Sequence, residues 1–219
     1  MNIFTDGESS LSPMIQIAII LGSTRPGRRV EDVAQWVAEA AGRHPAVKAG
    51  EAGLELVDIA AYELPLLDEP APAVIGSYQN AHTKRWAATI DRFDGFVFVT
   101  PEYNSAIPAA LKNAIDYLYA EWNDKAAGIV SYGVYGGTRA AEQLRQTMAE
   151  IKIADVHAQV AINPYFDFDF TGSKAGVCAP GERQETALTT MLDEVLAWSR
   201  ALRVLRDPIA SADPQPGPT

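Results

Sequence analysis

The chain reads as an α/β protein built on a five-stranded parallel sheet. Three observations predict this. Short apolar runs alternate with segments of helical periodicity, the 219 residues suit one domain, and the most unusual loops all follow strands. Parallel strands joined by right-handed helical crossovers bury both faces of the sheet, and ligands then sit beyond the carboxyl ends of the strands.

The elements follow in order. Residues 1–13, with Asp6, Gly7, Ser9, Ser10 and Pro13, read as a loose tail. Ile15 to Leu21, apolar apart from Gln16, is the first strand. Val30, Val33, Ala34, Val37 and Ala41 recur at helical spacing, and Leu54 to Ile59 is the second strand. Pro65, Pro70 and Pro72 make residues 62–72 an irregular excursion. A helix over about 78–93 leads into the strand Phe96 to Thr100. Pro108 suits the first turn of a helix whose inner face carries Leu111, Ala114, Ile115 and Leu118. Ala127 to Tyr132 is the fourth strand, residues 138–151 a helix and Val156 to Ile162 the fifth strand. The last helix, about 182–205, lines up Leu188, Met191, Leu192, Val195, Leu196 and Leu202. The domain therefore spans residues 14–206. Residues 207–219, rich in Pro, Ala and Asp, form a second loose tail.

Composition narrows the function. Hydrophobic residues make up 47% of the chain, enough for a core without staples, and the single Cys178 excludes an internal disulfide. A net charge of −10 argues against a nucleic-acid surface. There is no signal-peptide pattern and no run of membrane-spanning length, so no membrane partner is expected and a cytoplasmic location is the default. His44, His82 and His157 are scattered and suggest neither triad nor metal centre.

Against that acidic background the turn Gly22-Ser23-Thr24-Arg25-Pro26-Gly27-Arg28-Arg29 stands out. A strand emptying into a Gly/Ser/Arg turn and then a helix gathers free amides, the positive helix end and guanidinium groups, which together suit a phosphate. Neither the Walker lysine nor the dinucleotide glycine spacing is present, so one phosphate monoester is the expected ligand. Two further loops share the same sheet edge. Pro101-Glu102-Tyr103-Asn104 is a compact turn, and Ser131-Tyr132-Gly133-Val134-Tyr135-Gly136-Gly137-Thr138 combines bare backbone with tyrosines. Together they suit a flat heterocycle carrying a ribityl phosphate.

In these motifs, with Ile107-Pro108 and Leu111-Lys112-Asn113-Ala114-Ile115-Asp116 following the second, the chain resembles the NADPH-dependent FMN reductases, over residues 14–205. The resemblance implies a flavodoxin-like three-layer sandwich with strand order 2-1-3-4-5. It implies FMN as cofactor, NADPH or NADH as donor, and a small acceptor such as a flavin or quinone served in ping-pong fashion. It also implies that Ser23 and Arg25 grip the FMN phosphate, helped by Arg28 and Arg29, where many relatives carry a small hydroxyl residue in place of Arg28. Pro101, Glu102, Tyr103 and Asn104 would line the isoalloxazine edge, and Ser131, Tyr132, Gly133, Gly136 and Gly137 would close the other side. A homodimer or homotetramer is implied too, with the last helix and the stretch Tyr117-Leu118-Tyr119 with Trp122 as candidate contacts, which core packing explains equally well. No side chain is assigned as nucleophile. The alternative class is a flavodoxin-like electron carrier without catalytic activity.

Two smaller features complete the reading. Tyr165-Phe166-Asp167-Phe168-Asp169-Phe170 alternates like a half-buried strand or arm, with Asp167 and Asp169 as solvated carboxylates rather than metal ligands and the segment as pocket cover or subunit contact. Cys178 lies too late in the chain, and one residue too close to Arg183, for a phosphatase nucleophile loop.

Overall fold

The computed structural model describes residues 14–172 and 176–206, so both expected tails lie outside the described residues. The five strands are β1 (Ile15–Leu21), β2 (Ala52–Asp58), β3 (Gly95–Pro101), β4 (Lys125–Tyr132) and β5 (Ile153–Ile162). They form one parallel sheet in the order β2-β1-β3-β4-β5. The chain leaves β1 towards β2, then returns past β1 to lay down β3. That reversal opens a crevice at the carboxyl ends of β1 and β3.

Alternation along the strands sorts side chains into two layers. Ile17, Ile19, Leu21, Val97 and Val99 face a core shared with α1 (Val30–Gly42) and α6 (Glu182–Arg206). Ala18, Ile20, Phe96 and Phe98 face the core shared with α3 (Ala81–Asp91), α4 (Ala109–Asp116) and α5 (Thr138–Glu150). The short α2 (Pro45–Lys48) was not expected. Pro45 opens it, and His44 caps it by accepting the Ala46 amide at Nδ1 while Nε2 contacts Asp193 at 3.0 Å.

Observed ends differ from expected ones by a few residues. Pro108 caps α4 from outside instead of entering its first turn. Two candidate subunit contacts take the other reading, core packing. Tyr117, Leu118 and Trp122 are fully enclosed between α3, α4 and the sheet, where the indole N–H of Trp122 donates to the Ile115 carbonyl at 3.1 Å. The stripe on α6 is likewise buried, in the other core layer. Tyr119 and Leu202, from the same two stretches, are half-buried.

The alternating aromatic segment is also not a strand throughout. Only Phe168–Asp169 (β6) pairs, antiparallel to Val177–Cys178 (β7). Asp169 is exposed as expected, but Asp167 is buried because its carboxylate accepts the Asn163 amide at 2.7 Å and closes a turn. Among the described residues no group of three or more His, Cys, Asp or Glu is placed to hold a metal. Burial pushes the Cys178 thiol up to about 12, which leaves it protonated at neutral pH and unfit as a nucleophile.

At the opposite end of the sheet from the crevice, Lys125 is buried, and its ammonium donates to the carbonyls of Ile90 and Asp91 at 3.0 and 2.9 Å. It thus ties down the last carbonyls of α3. Burial pulls its pKa from 10.5 to about 8. The unfolded chain holds that proton more tightly than the folded one, so folding stability gains from this lysine as pH climbs from about 8 towards 10.5. The full gain is about 3 kcal/mol. Urea unfolding of the wild type and of Lys125→Met at pH 7.5–9 checks this (roughly the lower half of the titration window). The difference between the two proteins should shift in favour of the wild type with rising pH, and a constant difference contradicts the assignment.

Candidate functional site

Three loops converge at the crevice. At the exit of β1, Ser23 is fully buried, its hydroxyl lies 3.0 Å from the Tyr103 hydroxyl, and the Arg25 amide approaches Ser23 Oγ at 3.4 Å. The next residues, 24–27, are exposed. The Arg25 guanidinium meets only the Gly27 carbonyl, at 3.4 Å. No side chain caps the start of α1 at Arg29, so its first amides point at the loop without a side-chain acceptor.

Arg28 and Arg29 point elsewhere. Arg28 makes five hydrogen bonds, to Asp58, Glu31 and the Ser23 carbonyl, which matches its five N–H donors. Hydrogen bonding to Asp58 raises its pKa further above the ordinary value. Its guanidinium therefore braces the loop and pairs with both nearby carboxylates, offsetting one of their two charges. Arg29 donates to the Gly176 carbonyl at 3.2 Å and lies 5.2 and 5.9 Å from the ring centres of Phe168 and Phe170. It clamps the β6–β7 arm to the start of α1.

At the exit of β3, Pro101 pairs in register with Tyr132, and the Glu102 amide donates to the Tyr132 carbonyl at 3.0 Å. Tyr103 and Ala106 exchange backbone hydrogen bonds around Asn104 and Ser105, whose φ values are 51° and 67°. Two successive left-handed residues make a mirror-image turn, which asparagine tolerates and serine adopts at a cost of about 1–2 kcal/mol. Such strain is found at functional sites more than elsewhere. Glu102 does not stand free. Its carboxylate accepts the amides of Arg139 and Ala140 at 3.0 and 3.4 Å and so caps α5 from the neighbouring loop.

At the exit of β4, Tyr132 is buried, and burial raises its pKa so that it stays a neutral phenol. The Gly133 amide bonds to the Ile162 carbonyl, the Gly136 amide returns to the Gly133 carbonyl at 2.8 Å, and Ser131 Oγ donates to the Gly136 carbonyl at 2.7 Å. Gly137 lies at φ 69°, and a Cβ there would stand 2.7 Å from the Tyr132 nitrogen and 2.9 Å from its carbonyl oxygen. Only glycine fits.

The structure thus brings together Ser23 with Tyr103, Glu102 with the start of α5, and Pro101 with Tyr132. Asp58 and Arg139 were not singled out from the sequence. A carboxylate at the end of β2 beside an arginine-rich turn was the available signal for Asp58. For Arg139, whose Nη1 donates to Ser105 Oγ at 3.1 Å, there was none.

The chain is similar to known proteins in sequence and in fold. The family model for NADPH-dependent FMN reductase matches residues 15–167, and the chain belongs to that family. It is 42% identical to an NAD(P)H-dependent FMN reductase of Nectria over 139 residues, covering 62% of this chain and 68% of that one. It is 33% identical to a quinone reductase of Pseudomonas putida over 145 residues, covering 63% and 72% of the two chains. Among solved structures, the flavoenzyme NAD(P)H:(acceptor) oxidoreductase FerB of Paracoccus denitrificans shares the fold. Its TM-score is 0.63 at 20% identity, over 86% of this chain and 98% of that one.

Proposed function

We propose that the chain is an FMN-dependent NAD(P)H oxidoreductase acting in ping-pong order on a flavin, a quinone or another small acceptor. The observation that carries this reading is the turn from Ser23 to Arg29 at the crevice between β1 and β3, with an exposed Arg25 and an uncapped helix start beside it. That donor set fits a phosphate monoester. The glycine turn ending at Gly137 packs closely on the Tyr132 backbone and so fixes the loop that would lie beside a flat ring.

FMN, when bound, would supply the two-electron redox chemistry that links NAD(P)H to the acceptor. The protein's share is binding and orientation. Arg25 and the first amides of α1 hold the phosphate, while Ser23 and Tyr103 tie the phosphate turn to the turn after β3. Backbone amides of the two strand-end loops stabilise negative charge on the polar edge of the ring. Arg28, Glu102 and Ser131 fix the three loops in place. A cytoplasmic homodimer or homotetramer completes the proposal, and sedimentation of the purified protein reads its assembly state.

Arg25→Ala is expected to weaken FMN binding about tenfold to a hundredfold, the worth of one charge-assisted hydrogen bond. Its urea midpoint should stay in place, because the side chain has a single long contact. Flavin-fluorescence titration checks this, and unchanged affinity removes Arg25 from the phosphate site. For the ping-pong order, initial rates with NADPH and a benzoquinone varied together should give parallel double-reciprocal lines. Intersecting lines contradict it.

A further inference from the structure

Beyond the crevice, on the β5 side of the glycine turn, lies a cavity of about 470 Å³ that the proposed flavin chemistry does not use. Its size falls within the range of about 300–1,000 Å³ typical of ligand pockets. Its rim carries two aromatic rings turned to solvent, Tyr135 at 69% exposure and Phe166 at 84%. Large exposed rings beside a cavity offer stacking faces for a flat base. Arg183, in the first turn of α6, also lines the cavity. It is exposed and makes no hydrogen bond or ion pair among the described residues. A guanidinium at a helix start is a phosphate-binding arrangement. Gln184 also lines the cavity, with a side-chain amide able to meet a base edge. Asp167 lines it too, but its carboxylate is buried and already accepts the Asn163 amide.

We propose that this cavity takes the adenosine-phosphate half of the nicotinamide donor, with the base against Tyr135 and Phe166 and a phosphate on Arg183. The inference rests on the reductase reading for its second half, because the glycine turn is shared. Gly136 lines the cavity, while its carbonyl accepts from Ser131 on the crevice side. One turn therefore separates the two sites. A dinucleotide spanning it would place its adenosine here and its nicotinamide at the crevice. In the Rossmann fold a carboxylate recognises the free 2′-hydroxyl and an arginine the 2′-phosphate. The unpartnered Arg183 then favours NADPH over NADH.

Calorimetric titration of the full chain with 2′,5′-ADP and, separately, 5′-ADP tests the cavity without turnover. Both should bind, 2′,5′-ADP more tightly, and Arg183→Ala should weaken 2′,5′-ADP about tenfold or more. Phe166→Ala, at an exposed position, should weaken both. In turnover, Arg183→Ala should raise the KM for NADPH about tenfold relative to that for reduced nicotinamide mononucleotide, which lacks the adenosine half. Equal changes in the two KM values, or nucleotide binding indifferent to Arg183 and Phe166, overturn the proposal. Binding of 2′,5′-ADP by a protein that does not oxidise NADPH would instead overturn the reductase reading, and with it the donor as occupant.

Discussion

Gly137→Ala is expected to abolish flavin retention and to cost about 2–4 kcal/mol of stability. The left-handed backbone alone penalises a Cβ by about 1–2 kcal/mol. The added methyl would also stand 2.7 and 2.9 Å from backbone atoms of Tyr132, which cannot swing aside as a side chain tip can. Relief requires the turn after β4 to lift away from Ser131, dismantling one wall of the crevice. Gly27 supplies the control. It shares a positive φ of 65°, yet a Cβ there meets nothing within 4 Å, so Gly27→Ala should show only the conformational penalty. Urea unfolding of both variants with flavin titration reads the two effects. Equal stability losses would mean that crowding at Gly137 has no consequence.

The second large effect lies at the other end of the sheet. Asp94 is buried, accepts the Gln16 amide at 2.9 Å, and binds Arg203 and Arg206 of α6 at 2.6 Å each. It therefore fastens the last helix to the base of β1 and β3. Asp94→Ala removes a shared buried carboxylate from the Arg203 and Arg206 guanidinium groups and leaves the Gln16 amide without its acceptor, so a loss of about 3–5 kcal/mol is expected. Flavin affinity per folded molecule should hold, since the crevice is at the opposite strand ends. An unfolding midpoint within error of wild type would contradict the account of this cluster.

The sheet was legible because its strands are short, almost wholly apolar runs separated by helical periodicity, a pattern that parallel sheets produce when both faces are buried. That the turn of residues 22–29 lies at the crevice was legible because Ser23 and Arg25 sit between such a strand and an amphipathic helix. Side-chain direction was not. Arg28 and Arg29 look equivalent in sequence, but Asp58, thirty positions later in the chain, claims one and the β6–β7 arm claims the other. That the Glu102 carboxylate caps α5 was likewise hidden, because the start of α5 comes near it only in the fold. Apolar stripes carry the same ambiguity, because periodicity says that a face is buried and not what buries it. The aromatic rhythm at residues 165–170 misled because only Phe168 and Asp169 find a pairing strand.

The most direct test of the central claim is anaerobic visible absorbance of the purified, FMN-loaded protein as NADPH is added. The account predicts rapid bleaching of the protein-bound flavin band, and its return when a quinone is supplied. A bound flavin that stays oxidised under excess NADPH and NADH would contradict it and favour an electron carrier instead.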